Sequence, residues 1–307
     1  MIRAAVLAFA LATGACASAP PPLEGGRVIA SAGGDIYTRS WGDPARPAVL
    51  MIHGTTSHLE EFEVSLGPQL ADDFHLVAYD RPGMGRSTHR PAGAASLALQ
   101  AQAAADVIRA ENLQRPVIVG HSYGAAVALR VALDHPELVS GVVLLAPATH
   151  PWDGSAPGFY KLQAAPVIGD VATMLAWPFT APVARRSLAS RAFAPQPMPK
   201  DYFDAADVRL ALRPAAVRAS SADFVSLVEE LKNQAPRYAQ LDLPVSIIAG
   251  EDDRIIPFKR LIDRDKPAFA NAHVALLPGV GHMPQHARPD LVEQEINWAF
   301  ASARAGR

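Results

Sequence analysis

The most informative segment of this chain is residues 117–129, which read Val117-Ile118-Val119-Gly120-His121-Ser122-Tyr123-Gly124-Ala125-Ala126-Val127-Ala128-Leu129. It begins as an apolar run typical of a buried strand and continues as an Ala-rich run with helical spacing. Between the two runs, Gly120 and Gly124 flank Ser122 in a G-x-S-x-G pattern. A sharp strand-to-helix turn needs small residues at these positions, because larger side chains would clash there. Ser122 is therefore a candidate nucleophile on a tight turn.

Apolar runs of the same kind recur on both sides of this segment and alternate with helical patterns. A hairpin is predicted around Gly33-Gly34, and further strands are predicted at 48–53, 75–79, 141–145, 245–249 and 273–277. Helices are predicted at 59–71, 96–110, 122–133, 257–270 and 289–303. This alternation predicts an α/β fold with a doubly wound, mostly parallel sheet of eight strands.

One long segment interrupts the alternation. Residues 149–240 separate two strands that a short crossover would normally join, and they contain many prolines and short helical patterns such as 221–232. We interpret them as a helical cap inserted after strand 6, between core segments 27–148 and 241–307. Aromatic residues outnumber lysines in the cap, which favours an apolar pocket; they include Trp152, Phe159, Tyr160, Trp177, Phe179 and Phe193.

Composition excludes several classes of protein. The chain has 307 residues, 50% of them apolar and 19% charged, with a formal net charge of −2. A chain without excess positive charge has no electrostatic basis for binding nucleic acid. A single cysteine excludes an intrachain disulfide, and no Cys/His cluster has zinc-site spacing. Nucleotide-binding and metal-binding motifs are also missing from the sequence, so no cofactor is predicted.

The N-terminal segment 1–26 reads as an export signal followed by a Pro-rich tether. Its apolar stretch, 4–13, is too short to cross a bilayer and is followed by the only cysteine, Cys16, after small residues. This arrangement resembles a bacterial lipoprotein signal, which implies diacylglycerol on the Cys16 thiol and a membrane anchor. With Ala17 next, the resemblance implies the outer membrane facing the periplasm. Cleavage after Ala15 or Ala17 would instead leave a periplasmic or secreted protein.

A serine nucleophile needs a base and an acid, and in this strand arrangement both are expected downstream of Ser122. His282 follows the last predicted strand, in a loop that could place its imidazole over the serine. Residues 251–253 follow the preceding strand and offer three carboxylates, of which one is expected to face His282. His286 lies one helical turn beyond His282, and we expect it to face solvent.

Together these motifs resemble the α/β-hydrolase fold family over residues 27–303. In that family the pattern Gly-x-x-Asp after the penultimate strand ends on the catalytic acid, which here selects Asp253 over Asp252. The resemblance thus implies a triad of Ser122, Asp253 and His282.

The resemblance also implies an oxyanion hole and a structural turn. His53-Gly54-Thr55-Thr56 matches the family's His-Gly loop, so the backbone N–H groups of Thr55 and Tyr123 are the expected donors. Residues 80–87, Asp80-Arg81-Pro82-Gly83-Met84-Gly85-Arg86-Ser87, match the turn after strand 4, whose expected role is structural.

The function implied is cofactor-independent hydrolysis of a small or medium, mainly apolar ester through an acyl-enzyme on Ser122. C–C bond hydrolases, aminopeptidases, perhydrolases and acyltransferases share this triad and stay open as alternatives. Epoxide hydrolases and haloalkane dehalogenases carry aspartate at the nucleophile position, so Ser122 disfavours them. A non-catalytic ligand-binding protein on the same scaffold is a further alternative, and the oligomeric state is left open.

Overall fold

Eight strands form one mostly parallel sheet in the computed structural model, which describes residues 23–306 except 88, 89, 91, 92, 155, 166–168, 170–188, 258–267, 270 and 271. In chain order the strands are β1 (Gly26–Ser31), β2 (Gly34–Trp41), β3 (Ala48–Ile52), β4 (His75–Tyr79), β5 (Val117–His121), β6 (Gly141–Leu145), β7 (Val245–Gly250) and β8 (His273–Leu277). They lie in the order β1-β2-β4-β3-β5-β6-β7-β8. The β1–β2 and β2–β4 pairs are antiparallel and the remaining pairs are parallel. The predicted fold class is confirmed.

Helices cover both faces of this sheet and continue into the segment after β6. Their bounds are α1 (Glu60–Glu63), α2 (Gly67–Leu70), α3 (Leu97–Ala110), α4 (Tyr123–Asp134), α5 (Gly158–Ala164), α6 (Tyr202–Ala205), α7 (Pro214–Gln234), α8 (Pro284–Ala287) and α9 (Pro289–Ala305). Two 3-10 turns lie at Pro136–Leu138 and Ala235–Gln240.

The central strands are apolar throughout because both of their faces are buried. In β5, Ile118 packs into the hydrophobic cluster that includes α3 and α4 residues, whereas Val117 and Val119 pack into the opposite cluster with Phe62 and Ile296. Strand β3 alternates in the same way between the two clusters. Successive side chains of a strand point to opposite faces, so a strand covered on both sides shows no polar alternation.

Two predicted helices differ from the structure, and a third cannot be compared with it. The predicted helix 59–71 is two short helices, α1 and α2, because Pro68 lacks a backbone N–H and is accommodated only in the first turn of a new helix. The predicted helix 257–270 falls almost entirely outside the described residues. In the cap, the short pattern 221–232 belongs to one 21-residue helix, α7, which begins at Pro214.

The carboxylate of Asp80 holds the turn after β4 in place. It accepts hydrogen bonds from the N–H of Leu59 at 2.8 Å and the N–H of Arg86 at 2.6 Å. Gly83 and Gly85 adopt φ values of 80° and 48° in this turn, a region that favours glycine.

We expect Gly124→Ala to destabilise the fold, because helix α4 crosses β3 closely at this point. A Cβ on Gly124 would lie 2.1 Å from the carbonyl oxygen of Ile52, which is backbone and cannot move aside cheaply. Overpacking of this kind costs about 1–3 kcal/mol of unfolding free energy. Urea unfolding measures the loss, with Gly158→Ala as a matched control because a Cβ there meets nothing within 4 Å. Equal stability of the two variants would contradict this close approach.

Candidate active site

Ser122 lies between the end of β5 and the start of α4, in a backbone conformation that a serine rarely adopts. Its φ is 54° and its ψ is −116°. Such strain persists only where surrounding contacts over-determine the residue. Here the Ser122 N–H donates to the Leu145 carbonyl at 2.9 Å, and the Ser122 carbonyl accepts from the N–H groups of Ala125 and Ala148. These hydrogen bonds hold the Ser122 backbone in its strained conformation.

Asp253 and His282 are brought together by the loops that follow β7 and β8. Asp253 Oδ2 lies 2.7 Å from His282 Nδ1. Its other oxygen, Oδ1, accepts from the N–H groups of Ile255 at 2.7 Å and Ile256 at 3.0 Å. Both partners are only 5% exposed, whereas Glu251 and Asp252 are exposed. Because a carboxylate accepts from Nδ1–H, the free lone pair of His282 lies on Nε2, as a general base requires.

The His282 loop is held directly against the Ser122 turn. The His282 carbonyl lies 2.8 Å from Nε2 of His121, the residue before the serine, and the two imidazole centroids are 5.0 Å apart. Within the described residues, no hydrogen bond joins the Ser122 hydroxyl to the His282 imidazole. Such contacts often tighten only when substrate binds.

His121 is a buried neutral imidazole whose importance the sequence did not reveal. Since a carbonyl only accepts, Nε2 must carry the proton, and the buried Nδ1 has no partner among the described residues. Burial, together with the neighbouring His282 ring, lowers the pKa of His121 to about 4. His121 thus holds the His282 backbone without adding charge to the site.

The two residues that carry the expected oxyanion donors lie beside the same turn. Gly54 lies next to Ser122, since a Cβ built on it would be 3.1 Å from the serine Cβ. Thr55 follows Gly54, and Tyr123 opens α4 directly after Ser122. Within the described residues, the backbone N–H of neither Thr55 nor Tyr123 donates to another group. Both N–H groups are thus able to bind a developing oxyanion.

The cap reaches the His282 loop through residues that the sequence analysis missed. The side-chain amide of Gln196 accepts from the Gly281 N–H at 2.9 Å and donates to the Met283 carbonyl at 3.0 Å. The His282 N–H donates to the Ala192 carbonyl at 2.9 Å. Cap residues therefore bond to the backbone on both sides of His282. A lone glutamine in a Pro-rich loop carries no sequence signal for such a role.

The expectation that His286 faces solvent is wrong. Its Nε2 lies 2.7 Å from Glu61 Oε1, and its side chain is only 8% exposed. Glu61 also accepts hydrogen bonds from Tyr202 and Gln285. Burial alone would raise the pKa of Glu61, but the charge and hydrogen bonds of its partners hold that pKa below its ordinary value. Because the Glu61 carboxylate is buried, it requires partners, and His286 folds inward to supply one.

Four of the six predicted cap aromatics are described, and their surroundings differ. Trp152 and Tyr160 pack against Phe224 of α7, with ring centroids 5.6 Å and 4.7 Å apart. Phe193 is buried beside His286. Phe159, which stacks on Tyr160, is largely exposed.

Some predictions concern residues outside the described part of the chain. These are Cys16, Trp177 and Phe179, and the lipid anchor at Cys16 stays a prediction. No described helix is long and apolar enough to cross a membrane. Within the same residues, no cluster of three or more His, Cys, Asp or Glu side chains is arranged to hold a metal ion.

Comparison with known proteins yields a family model and several similar structures. The model described as Alpha/beta hydrolase family matches residues 49–295. The uncharacterized hydrolase YugF of Bacillus subtilis is 23% identical over 272 residues, which cover 86% of this chain and 93% of that protein.

Among solved structures, an esterase from Exiguobacterium antarcticum has a TM-score of 0.70 at 20% identity, covering 89% of this chain and 99% of the other. The haloalkane dehalogenase DbeA from Bradyrhizobium elkani has the same TM-score at 17% identity, covering 92% and 99%. Likeness at such low identity shows the shared fold alone.

The neutral state of His121 predicts a pH dependence of stability. In the unfolded chain a histidine takes up its proton near pH 6.5, whereas the folded His121 does so only near pH 4. The unfolded state therefore binds more protons in this window, and the unfolding free energy decreases as pH falls through it.

His121→Gln keeps an amide donor for the His282 carbonyl. It should reduce the slope of unfolding free energy against pH by an amount that corresponds to up to about one proton taken up on unfolding. Urea unfolding of both proteins at several pH values between about 7 and 4 measures the difference. Parallel pH profiles for the two proteins would show that His121 is not held neutral.

Proposed function

This chain belongs to the alpha/beta hydrolase family, and on that premise we propose that it is a serine hydrolase of small or medium, mainly apolar esters. The observation that carries the proposal is the buried 2.7 Å contact between Asp253 and His282, beside a serine held at a φ of 54°. A strained serine, an imidazole with a free Nε2 and a buried carboxylate are the parts that acyl transfer requires.

The proposed reaction proceeds through an acyl-enzyme. Ser122 Oγ attacks the ester carbonyl carbon as its proton passes to His282 Nε2, and the carbonyl oxygen becomes an oxyanion held by the N–H groups of Thr55 and Tyr123. Collapse breaks the bond to the alkoxy oxygen, which leaves as the alcohol with the proton from His282. Water then attacks the acyl group, again giving its proton to His282, and the acid is released as Ser122 regains its hydroxyl. Asp253 stabilises the imidazolium in both halves.

The type of nucleophile separates this proposal from other reactions performed on the same fold. The structural neighbours include both an esterase and a haloalkane dehalogenase, so the fold alone does not select the reaction. A hydroxyl nucleophile forms an acyl-enzyme with an ester, which supports ester cleavage. The same triad serves C–C hydrolases, aminopeptidases, perhydrolases and acyltransferases. No observation favours any of these over an esterase.

The direct test is labelling by a fluorophosphonate probe together with hydrolysis of p-nitrophenyl acetate. Wild-type protein should react with the probe and cleave the ester, and Ser122→Ala should do neither. Folded wild-type protein that neither labels nor cleaves would favour the alternative of a ligand-binding protein on a hydrolase scaffold.

The acid assignment predicts unequal effects at two neighbouring carboxylates. Asp253→Asn should lower kcat by about three to four orders of magnitude, because the amide cannot stabilise the imidazolium or fix its tautomer. Asp252→Asn is the matched control, since Asp252 is exposed and its carboxylate accepts, among the described residues, only from the Gly279 N–H at 3.0 Å. Steady-state kinetics on both folded variants decides the assignment. Loss of turnover in Asp252→Asn alone would reverse it.

The cap is expected to affect the reaction in two separable ways. Around Trp152, Tyr160 and Phe224 it offers partly exposed aromatic rings that suit an acyl or aryl group. Around Gln196 it bonds to the backbone that carries His282. The aromatic rings would select the substrate, whereas the Gln196 hydrogen bonds would support His282 as the base for every substrate.

Trp152→Ala should therefore change the preference among neutral esters of graded chain length while leaving acetate cleavage nearly unchanged. Gln196→Ala should lower kcat/KM about 10-fold for all chain lengths, acetate included. Gln114→Ala is the control for Gln196, because the Gln114 side chain is exposed and, in the described part of the chain, its amide bonds only the Asn112 carbonyl. Equal slowing of all esters by Trp152→Ala would contradict its role in selection.

A further inference from the structure

The cap helix α7 contacts the oxyanion loop through two buried polar side chains on one face. Ser220 and Asp223 are three residues apart, so they lie side by side on the helix surface. The Thr56 N–H donates to Ser220 Oγ at 2.9 Å. Asp223 Oδ2 accepts from Arg81 Nη1 at 2.7 Å, and both side chains of that ion pair are completely buried. Helix α7 thus reaches the loop both directly and through Arg81.

Arg81 connects Asp223 to the backbone of the oxyanion loop. Its Nε donates to the His53 carbonyl at 3.1 Å and its Nη2 donates to the Gly54 carbonyl at 2.9 Å. The guanidinium carbon lies 4.4 Å from the ring centroid of Tyr123, the residue that carries the other expected oxyanion donor. A buried guanidinium is tolerated only where its charge and its donors are paired. Asp223 supplies the countercharge, so the position of Arg81 depends on α7.

The Gly54 carbonyl is held by a second donor as well. The Arg81 N–H donates to His53 Nε2 at 3.0 Å, so Nδ1 carries the His53 proton and donates to the Gly54 carbonyl at 2.8 Å. Burial lowers the pKa of His53 well below its ordinary value, with the Arg81 charge acting in the same direction. This imidazole therefore stays neutral, and its donor remains in place.

Holding the Gly54 carbonyl fixes the direction of the Thr55 N–H. The two groups belong to one planar trans peptide, in which C=O and N–H point in opposite directions. The next peptide is held through the Thr56 N–H, although Thr56 adopts a φ of 51°, which a β-branched residue rarely does. Both peptides that flank the Thr55 side chain are therefore restrained by α7.

We propose that Arg81, Asp223 and Ser220 are positioning residues that orient the Thr55 N–H towards the oxyanion. Helix α7 then belongs to the catalytic apparatus as well as to the cap. The inference rests on the proposed function, because it concerns the oxyanion of that reaction. It assigns Arg81 a role beyond the structural turn that the sequence predicts.

The proposal predicts a loss confined to the transition state. A misoriented N–H stabilises the tetrahedral oxyanion less, whereas it hardly affects binding of the ground-state ester. Residues that only fasten the cap would instead change stability or the KM of long esters. The two roles therefore differ in which kinetic constant changes and in which substrates are affected.

The test uses Asp223→Asn and Ser220→Ala in the full chain, with Asp134→Asn as the matched control. Asp223 has two arginine partners, because its Oδ1 also accepts from Arg90 Nη2 at 2.5 Å. Asp134 likewise pairs with two arginines, Arg130 and Arg237, but it lies at the far end of α4 from Tyr123. For each folded variant, kcat and KM are measured on p-nitrophenyl acetate and a longer ester, together with the inhibition constant of phenylboronic acid. The serine adduct of that inhibitor is tetrahedral and occupies the oxyanion hole.

Asp223→Asn should lower kcat about 10-fold or more for both esters, with KM nearly unchanged and phenylboronic acid weakened by a similar factor. Ser220→Ala should lower kcat and weaken phenylboronic acid about threefold, with KM nearly unchanged. Because it removes only one hydroxyl, this variant keeps the test decisive if Asp223→Asn does not fold. Asp134→Asn should match wild type. Two results would overturn the inference but not the proposed function. One is a wild-type kcat in folded Ser220→Ala and Asp223→Asn, and the other is a change confined to the KM of the longer ester. Wild-type protein that neither cleaves esters nor reacts with a fluorophosphonate overturns the proposed function and this inference with it.

Discussion

The backbone of Ser122, held at a φ of 54° between β5 and α4, is the constraint around which the candidate site is built. A strained residue stays in place only if its neighbours leave no alternative. Gly120 and Gly124 let the helix approach the strands closely enough, and a hydrogen bond to Leu145 ties the serine to the next strand. The apolar sheet below is rigid because both of its faces are packed. The loops that carry Asp253, His282 and Thr55 then need only end at the same edge of that sheet.

The segment between β6 and β7, which we interpret as a cap, contacts two of the loops at this edge. Gln196 bonds to the backbone on both sides of His282, and Asp223 holds the guanidinium that binds the Gly54 carbonyl. The loop of the candidate base and the oxyanion loop are thus both supported by chain inserted between β6 and β7. A change in the cap can therefore reach the reaction as well as the choice of substrate, and the contacts of each residue indicate which effect to expect.

The sequence missed two buried contacts for the same physical reason. The expectation that His286 faces solvent is wrong, because its imidazole contacts the buried carboxylate of Glu61. Arg81 lies in the turn that the sequence predicts, but the sequence does not show that its guanidinium is completely buried and paired with Asp223. In both cases the partner is more than a hundred residues away in the chain, and buried charges are stable only as pairs. Local patterns do not contain that information.

The amino-acid sequence by itself determined the class of sheet, the position of the turn at Ser122 and the long segment between β6 and β7. It also identified His282 and a group of three carboxylates as candidates. It could do so because these features follow from local periodicity, from glycine spacing and from the order of elements along the chain. The family resemblance selects Asp253 among the three, and the tertiary structure shows its carboxylate 2.7 Å from His282 Nδ1. Only the tertiary structure shows that Gln196, Arg81 and Asp223 contact the loops of the site. These contacts join residues that are distant in the chain. Such residues become partners only after folding, because each buried polar group then needs a hydrogen-bond partner nearby.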